Sequence, residues 1–193
     1  MHIATKREDV RRLANLSAQA TAAFFADRAV HGETWRWLRL DKKDGAYGRD
    51  GLTAGSLELR GIPLLIAKLT MPPQRMKWLS RIGLHYILAS DTRRVVERSA
   101  SLCLLTGNAE DRTSMVQAGQ TLLRIWLIAT LHRLTTHPIS ALLDCPATVN
   151  PTLTVFGAAG AKPLSIFRLG ATPPVARSPR LPAEELLTKQ GGL

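Results

Sequence analysis

Three positions near the end of the chain carry the side chains best suited to gripping an anion: Arg177, Ser178 and Arg180. The two arginines stand three residues apart, and Pro173, Pro174, Pro179 and Pro182 stiffen the backbone around them. A guanidinium presents a planar fork of N–H donors that matches carboxylate or phosphate oxygens, so a stiff segment holding two of them is an anion clamp. Phosphate is the obvious candidate. The plainer reading of the same residues is a solvated basic tail. Other chemistry has no foothold. His2, His31, His85, His132 and His137 show no metal-ligand spacing among themselves or with cysteine. There is no Gly-x-Ser-x-Gly elbow, no glycine fingerprint for a dinucleotide and no phosphate loop. No catalytic residue is therefore named, and redox chemistry would have to come from a bound cofactor.

The elements that must position the clamp follow from periodicity. Lys162 to Gly170 contains a short apolar strand, Pro163–Leu169, that runs into the basic tail. At the other end, Thr5-Lys-Arg-Glu8 reads as a capping box before a helix that runs to about Ala26, with Val10, Leu13, Leu16, Ala20 and Phe24 at helical spacing. A short helix around Trp35, Trp37 and Leu38 leads into a loop, Asp41 to Gly51, that contains three glycines. Residues 52–80 are expected to be an irregular covering segment because Pro63, Pro72 and Pro73 interrupt any long element, with helical pattern setting in from Gln74. That pattern continues to about Glu97 with a break near Gly83, and Ser101–Thr106 reads as a buried strand. Asp111 opens a helix to about Leu134 that is apolar nearly all round from Leu122 to Leu131, which predicts burial on most faces and a central place in the fold. A short helix is expected around Val149–Phe156. Helices packed on a small sheet make an α+β class, in one domain over residues 1–193 with a proline-rich basic tail over 171–193.

Composition bounds the partners. The 193 residues include 26 Lys and Arg against 15 Asp and Glu, a net charge of +11 that raises nucleic acid as a partner. The cations are scattered in pairs with no run of five and no aromatic interleaving, so no nucleic-acid role is expected. The apolar stretch Leu122–Leu131 is too short to span a bilayer and contains Arg124, and the N-terminus lacks a signal-peptide core, so a cytoplasmic protein without a membrane partner is expected. Cys103 and Cys145 sit in apolar surroundings as reduced, buried thiols.

Three stretches, taken in order, resemble the nitroreductase family, the first of them a divergent subgroup whose single chains contain two related halves. They are Trp35-Arg-Trp-Leu-Arg-Leu through Tyr47-Gly-Arg-Asp50-Gly51-Leu-Thr53, then Asp111 through Gly119-Gln120 to His137-Pro138-Ile139-Ser140, and the tail Arg177-Ser-Pro-Arg180-Leu-Pro-Ala-Glu-Glu-Leu. The resemblance implies a nitroreductase-like α+β fold around a long central helix, with the family's N-terminal part missing. It implies FMN as cofactor, NAD(P)H as electron donor and a nitroaromatic or quinone as acceptor, in a homodimer or beside a partner that supplies the missing half. Pro138, Ile139, Ser140 and Ala141 would line the flavin ring, while Arg177, Ser178 and Arg180 would hold its phosphate. Ser140 stands where the family often has Glu, and Ala141 where it often has Gly. Arg177 falls one position early, with Ser178 at the matching site. The family's N-terminal arginine motif has no counterpart, since Arg11-Arg12 runs into Leu-Ala-Asn. Two alternatives stand beside the enzyme: a non-catalytic flavin-binding or storage protein, and a truncated flavin-free partner subunit.

Overall fold

The computed structural model describes residues 1–108, 110–172 and 176–187. Pro173, Pro174 and the last six residues of the expected basic tail lie outside the described part. In chain order the elements begin with β1 (His2–Ala4), α1 (Arg7–Ala26), α2 (Arg28–Trp37), β2 (Leu38–Arg39) and β3 (Leu52–Thr53). Next come α3 (Gly61–Thr70), α4 (Pro73–Arg81), α5 (Leu84–Glu97), β4 (Leu102–Thr106), α6 (Arg112–Leu131) and β5 (Thr135–Pro138). The last are α7 (Ala141–Asp144), α8 (Pro146–Val155), β6 (Pro163–Gly170) and α9 (Ala183–Leu187). The class is α+β, with a small antiparallel sheet. Two compact units interleave along the chain: Met1–Ala26 with Gly83–Thr172, and Asp27–Ile82 with the described part of Pro173–Leu193.

The first unit is built on a four-stranded sheet in the order β1-β4-β6-β5, antiparallel throughout. The inner strand β4 reads Leu-Cys-Leu-Leu-Thr and buries its first four residues, as a strand paired on both edges and covered on both faces must. Helix α1 packs against α5, α7 and α8. Its stripe Val10, Leu13 and Ala14 enters one core with Leu102, Leu104, Ile139, Leu142 and Ile166. The helix ends at Ala26 as its periodicity predicts, but it begins at Arg7, with Val10 N–H bonding to Lys6 O at 3.0 Å, so the expected Thr5 cap does not start it. Cys103 is buried and Cys145 half-buried, both free thiols.

Three expectations are corrected here. The helix from Asp111 was expected to be the central, buried one; α6 instead lays a narrow face on β5 and β6, buries only Ala129 and leaves Met115, Val116, Leu123, Leu127, Ile128 and Leu131 exposed. The central place belongs to α1. Residues 52–80 were expected to be irregular, yet they hold α3 and α4. Pro63 and Pro73 fall in the first turns of these helices, where a backbone N–H has no intrahelical acceptor and its absence costs little. The end of α6 also differs. It stops at Leu131 in a Schellman turn, with Arg133 N–H bonding to Thr130 O at 2.9 Å and Leu134 N–H to Ala129 O at 2.8 Å, and Thr135–Pro138 then forms an edge strand. Gly83, at φ 86°, makes the predicted break between α4 and α5.

The second unit has a smaller core. His31 of α2 is buried and its Nε2 lies 2.8 Å from Met71 O, at the α3–α4 junction. Met76 of α4 is buried, and α4 packs against both α2 and α3. Strands β2 and β3 pair in parallel, two residues each.

Candidate functional site

The β2–β3 pair is the scaffold of a cavity. Asp27 caps α2, its Oδ1 accepting from Ala29 N–H at 2.8 Å and Val30 N–H at 3.1 Å, which directs the helix toward Trp37 at its last turn. Between β2 and β3 the chain makes successive side-chain-anchored turns, with Asp41 Oδ1 accepting from Lys43 N–H at 3.0 Å and Asp44 Oδ1 from Ala46 N–H at 2.9 Å. The Asp41 carboxyl is held below its usual pKa by the Lys43 N–H first and by the Lys68 ammonium next. The return to β3 depends on Gly51. Its φ is 74°, and a Cβ there would meet Trp37 O at 2.5 Å, so no other residue fits without displacing the end of α2.

Beside this turn lies a cavity of about 560 Å³, lined by Thr34 and Trp37 of α2, by Asp50, Gly51 and Leu52, and by Ser178, Pro179, Arg180 and Leu181. Its volume falls in the range of small-molecule sites, ~300–1,000 Å³. Asp50 and Leu181 also line an adjoining space of about 290 Å³ together with Gly45, Ala46, Arg49 and Glu185. Two ion pairs hold the walls. Arg39, nearly buried, lies 2.7 Å from Asp50 Oδ1 through Nη2 and donates to it from Nε at 3.0 Å. Arg49 Nη2 meets Glu185 Oε2 at 2.6 Å, fastening α9 to the loop before β3. The Asp50 charge is thus matched by Arg39. Arg177 and Arg180 are both exposed, and among the described residues neither has a carboxylate or hydrogen-bond partner. The lining therefore offers an unopposed cation and an indole in the same cavity, with apolar surface from Leu52, Pro179 and Leu181.

The expected site residues divide between the units. Arg177, Ser178 and Arg180 belong to the second, where Ser178 and Arg180 line the cavity and Arg177 is exposed beside them in sequence. Pro138, Ile139, Ser140 and Ala141 belong to the first. Pro138 ends β5 opposite Phe167. Ile139 is committed to the fold: its side chain is in the core and its N–H bonds to Ile166 O at 2.9 Å. Ser140 is exposed and its carbonyl accepts from Leu143 and Asp144 N–H at 2.7 and 3.0 Å. Neighbouring His137 pairs across the strands with Arg168, whose Nε donates to His137 Nδ1 at 3.2 Å. The surrounding protein, first, and the Arg168 charge, second, lower the His137 pKa, although the residue keeps contact with solvent. A neutral ring that accepts from a guanidinium agrees with that direction.

A second cavity of about 520 Å³ lies between α1 and α5, floored by Ala18, Ala22 and Ala89 and edged by His85, Tyr86 and Arg93. Its one lining cation, Arg93, faces Glu97 at 4.0 Å, so it offers an anion less than Arg180 does. The tail arginines stand out as a site in the sequence, whereas Trp37, Gly51 and the Arg39–Asp50 pair do not. The signal was present in the Asp50-Gly51 turn, whose glycine marks a required left-handed backbone. No family model, no curated protein and no solved structure matches the chain.

Proposed function

We propose that this chain is a nitroreductase-type flavoprotein that binds FMN and serves electron transfer from NAD(P)H to a nitroaromatic or quinone acceptor. The observation that carries the reading is the cavity in which Arg180 and Ser178, from one resembling stretch, stand with Trp37 and Asp50–Leu52, from another, more than 120 residues away. The residues suit FMN at both ends. Arg180, with Arg177 three residues before it, offers charge-assisted donors to a phosphate dianion, and the Ser178 hydroxyl adds a neutral donor. Trp37, Leu52, Pro179 and Leu181 offer flat and apolar surface to a ring system. The chemistry FMN supplies is two-electron transfer, taken as hydride from NAD(P)H and passed on with a solvent proton to the acceptor. The chain's own task is to hold the phosphate, orient the ring and limit water.

One observation favours a binding protein without catalysis as the second reading. Asp50, the carboxylate in the cavity wall, is tied to Arg39 and so poorly placed to move a proton. Titrating the purified chain with FMN and then adding NADPH without oxygen distinguishes the two. Uptake followed by bleaching of the flavin absorbance supports the enzyme, and uptake without bleaching supports the binding protein. Absence of uptake sinks both. Arg180→Ala is expected to weaken FMN binding about ten- to a hundred-fold, the worth of a hydrogen bond to a charged group; unchanged binding removes the tail from the site.

A further inference from the structure

The second unit carries an apolar face that its own fold does not cover. On α3, Ile62, Leu65, Ile66 and Leu69 recur at the spacing of one helix face, yet all four are exposed, Ile62 at 74%. The helix turns its small residue inward instead, since Ala67 alone is buried. Trp78 on α4, which packs beside α3, is 65% exposed, and Ile82 just after α4 is exposed as well. Surface of this kind in a contiguous stretch marks a place of interaction.

Charge decides which partner fits. From Leu59 to Ser90 there is no Asp or Glu, while Arg60, Lys68, Arg75, Lys77 and Arg81 fall within or beside the two helices. Lys68 is shared with Asp41 at 3.4 Å; among the described residues the other four have no carboxylate partner. A second copy seated on this face would bring two cationic rims together, so self-association is opposed. An anionic bilayer meets both features at once: aliphatic side chains and an indole enter the headgroup boundary, and lysines and arginines reach the lipid phosphates. Among the described residues no helix is long and apolar enough to cross a membrane, so the mode is seating on the surface.

We infer that α3, with α4 beside it, is a docking surface for an anionic lipid bilayer. This goes beyond the expectation of a protein without a membrane partner, which considered spanning segments and a signal peptide. The test is co-sedimentation of the full chain with large vesicles of phosphatidylcholine, with and without 30% phosphatidylserine. Binding to the anionic vesicles and not to the neutral ones, weakening steadily with salt, is expected. Leu65→Ser with Leu69→Ser should reduce binding at least tenfold. Lys77→Gln with Arg81→Gln should reduce it about twenty-five-fold, roughly fivefold for each cation. These side chains are exposed, and an unchanged thermal melt checks that each variant is folded. The inference is overturned if the chain ignores anionic vesicles, if it binds neutral vesicles equally well, or if either folded variant binds like the wild type. It is also overturned if sedimentation equilibrium shows an oligomer that the Leu65→Ser, Leu69→Ser variant dissolves, since a second copy would then cover the face.

Discussion

Helices α1 and α6 each run for twenty residues in the same unit, yet the more polar of the two forms the core and the more apolar one lies outside it. α1 gathers Val10, Leu13, Ala14, Ala20 and Ala22 on a stripe that one packing arrangement buries, keeps Leu16, Phe24 and Phe25 half-buried, and leaves Arg7, Glu8, Arg11 and Arg12 in water. α6 spreads leucine, isoleucine, methionine and valine around its girth, and a small sheet can cover only one narrow face of such a helix. Burial follows the angular pattern of apolar residues and the number of neighbours, not their total.

The sharpest way to break this comparison is a pair of truncations. Leu13→Ala in α1, at a fully buried position, is expected to cost about 2–5 kcal/mol in denaturant unfolding, the range for an unfilled leucine cavity. Leu127→Ala in α6, at a position 58% exposed, should stay within about 0.5 kcal/mol. A loss at Leu127 as large as that at Leu13 would mean that α6 is covered in solution, as a dimer would do.

A smaller effect sharpens the contrast at the end of α6. Its Schellman turn places Arg133 at φ 57°, while α8 closes the same kind of turn with Gly157 at φ 63°. Arg133→Gly should relieve the left-handed strain and raise stability by up to about 1 kcal/mol, read from the unfolding midpoint. A loss of stability would show that the Arg133 side chain matters more than its backbone.

The smallest expected effect is a pH dependence at His137, on the strand that α6 packs against. Its folded pKa lies below the ordinary 6.5, so the unfolded chain takes up the proton first as pH falls. Stability from this residue is intact above about pH 6.5 and declines as pH drops through that value toward the folded pKa. His137→Gln should flatten this part of the stability–pH curve; an unchanged curve would assign the acid sensitivity elsewhere.

Much of the local structure is legible in single residues. Gly83 ends one helix pattern and starts the next, Asp111 caps α6 through Ser114 N–H at 2.8 Å, and the strand before the tail appears where its apolar run lies. Legibility failed where a residue's meaning depends on its place in an element. Pro63 and Pro73 read as breakers until they are seen in first turns, and β1 and β5 are short edge strands without a clear alternation. The candidate cavity was half legible. Two cations three residues apart announce an anion clamp, but nothing in the chain's order tells that Arg180 and Trp37 line one wall.

By itself the sequence determined the α+β class, the end of α1, the break before α5, the start of α6, the excess of positive charge and the clamp chemistry of the tail, because these depend on local periodicity and residue type. Tertiary structure alone decided that α1 and not α6 is central, that α3 turns its aliphatic face outward, and that Gly51 sits against Trp37 O. Those outcomes rest on which distant surfaces compete for the same neighbour, and a side chain's burial is settled only when that competition ends.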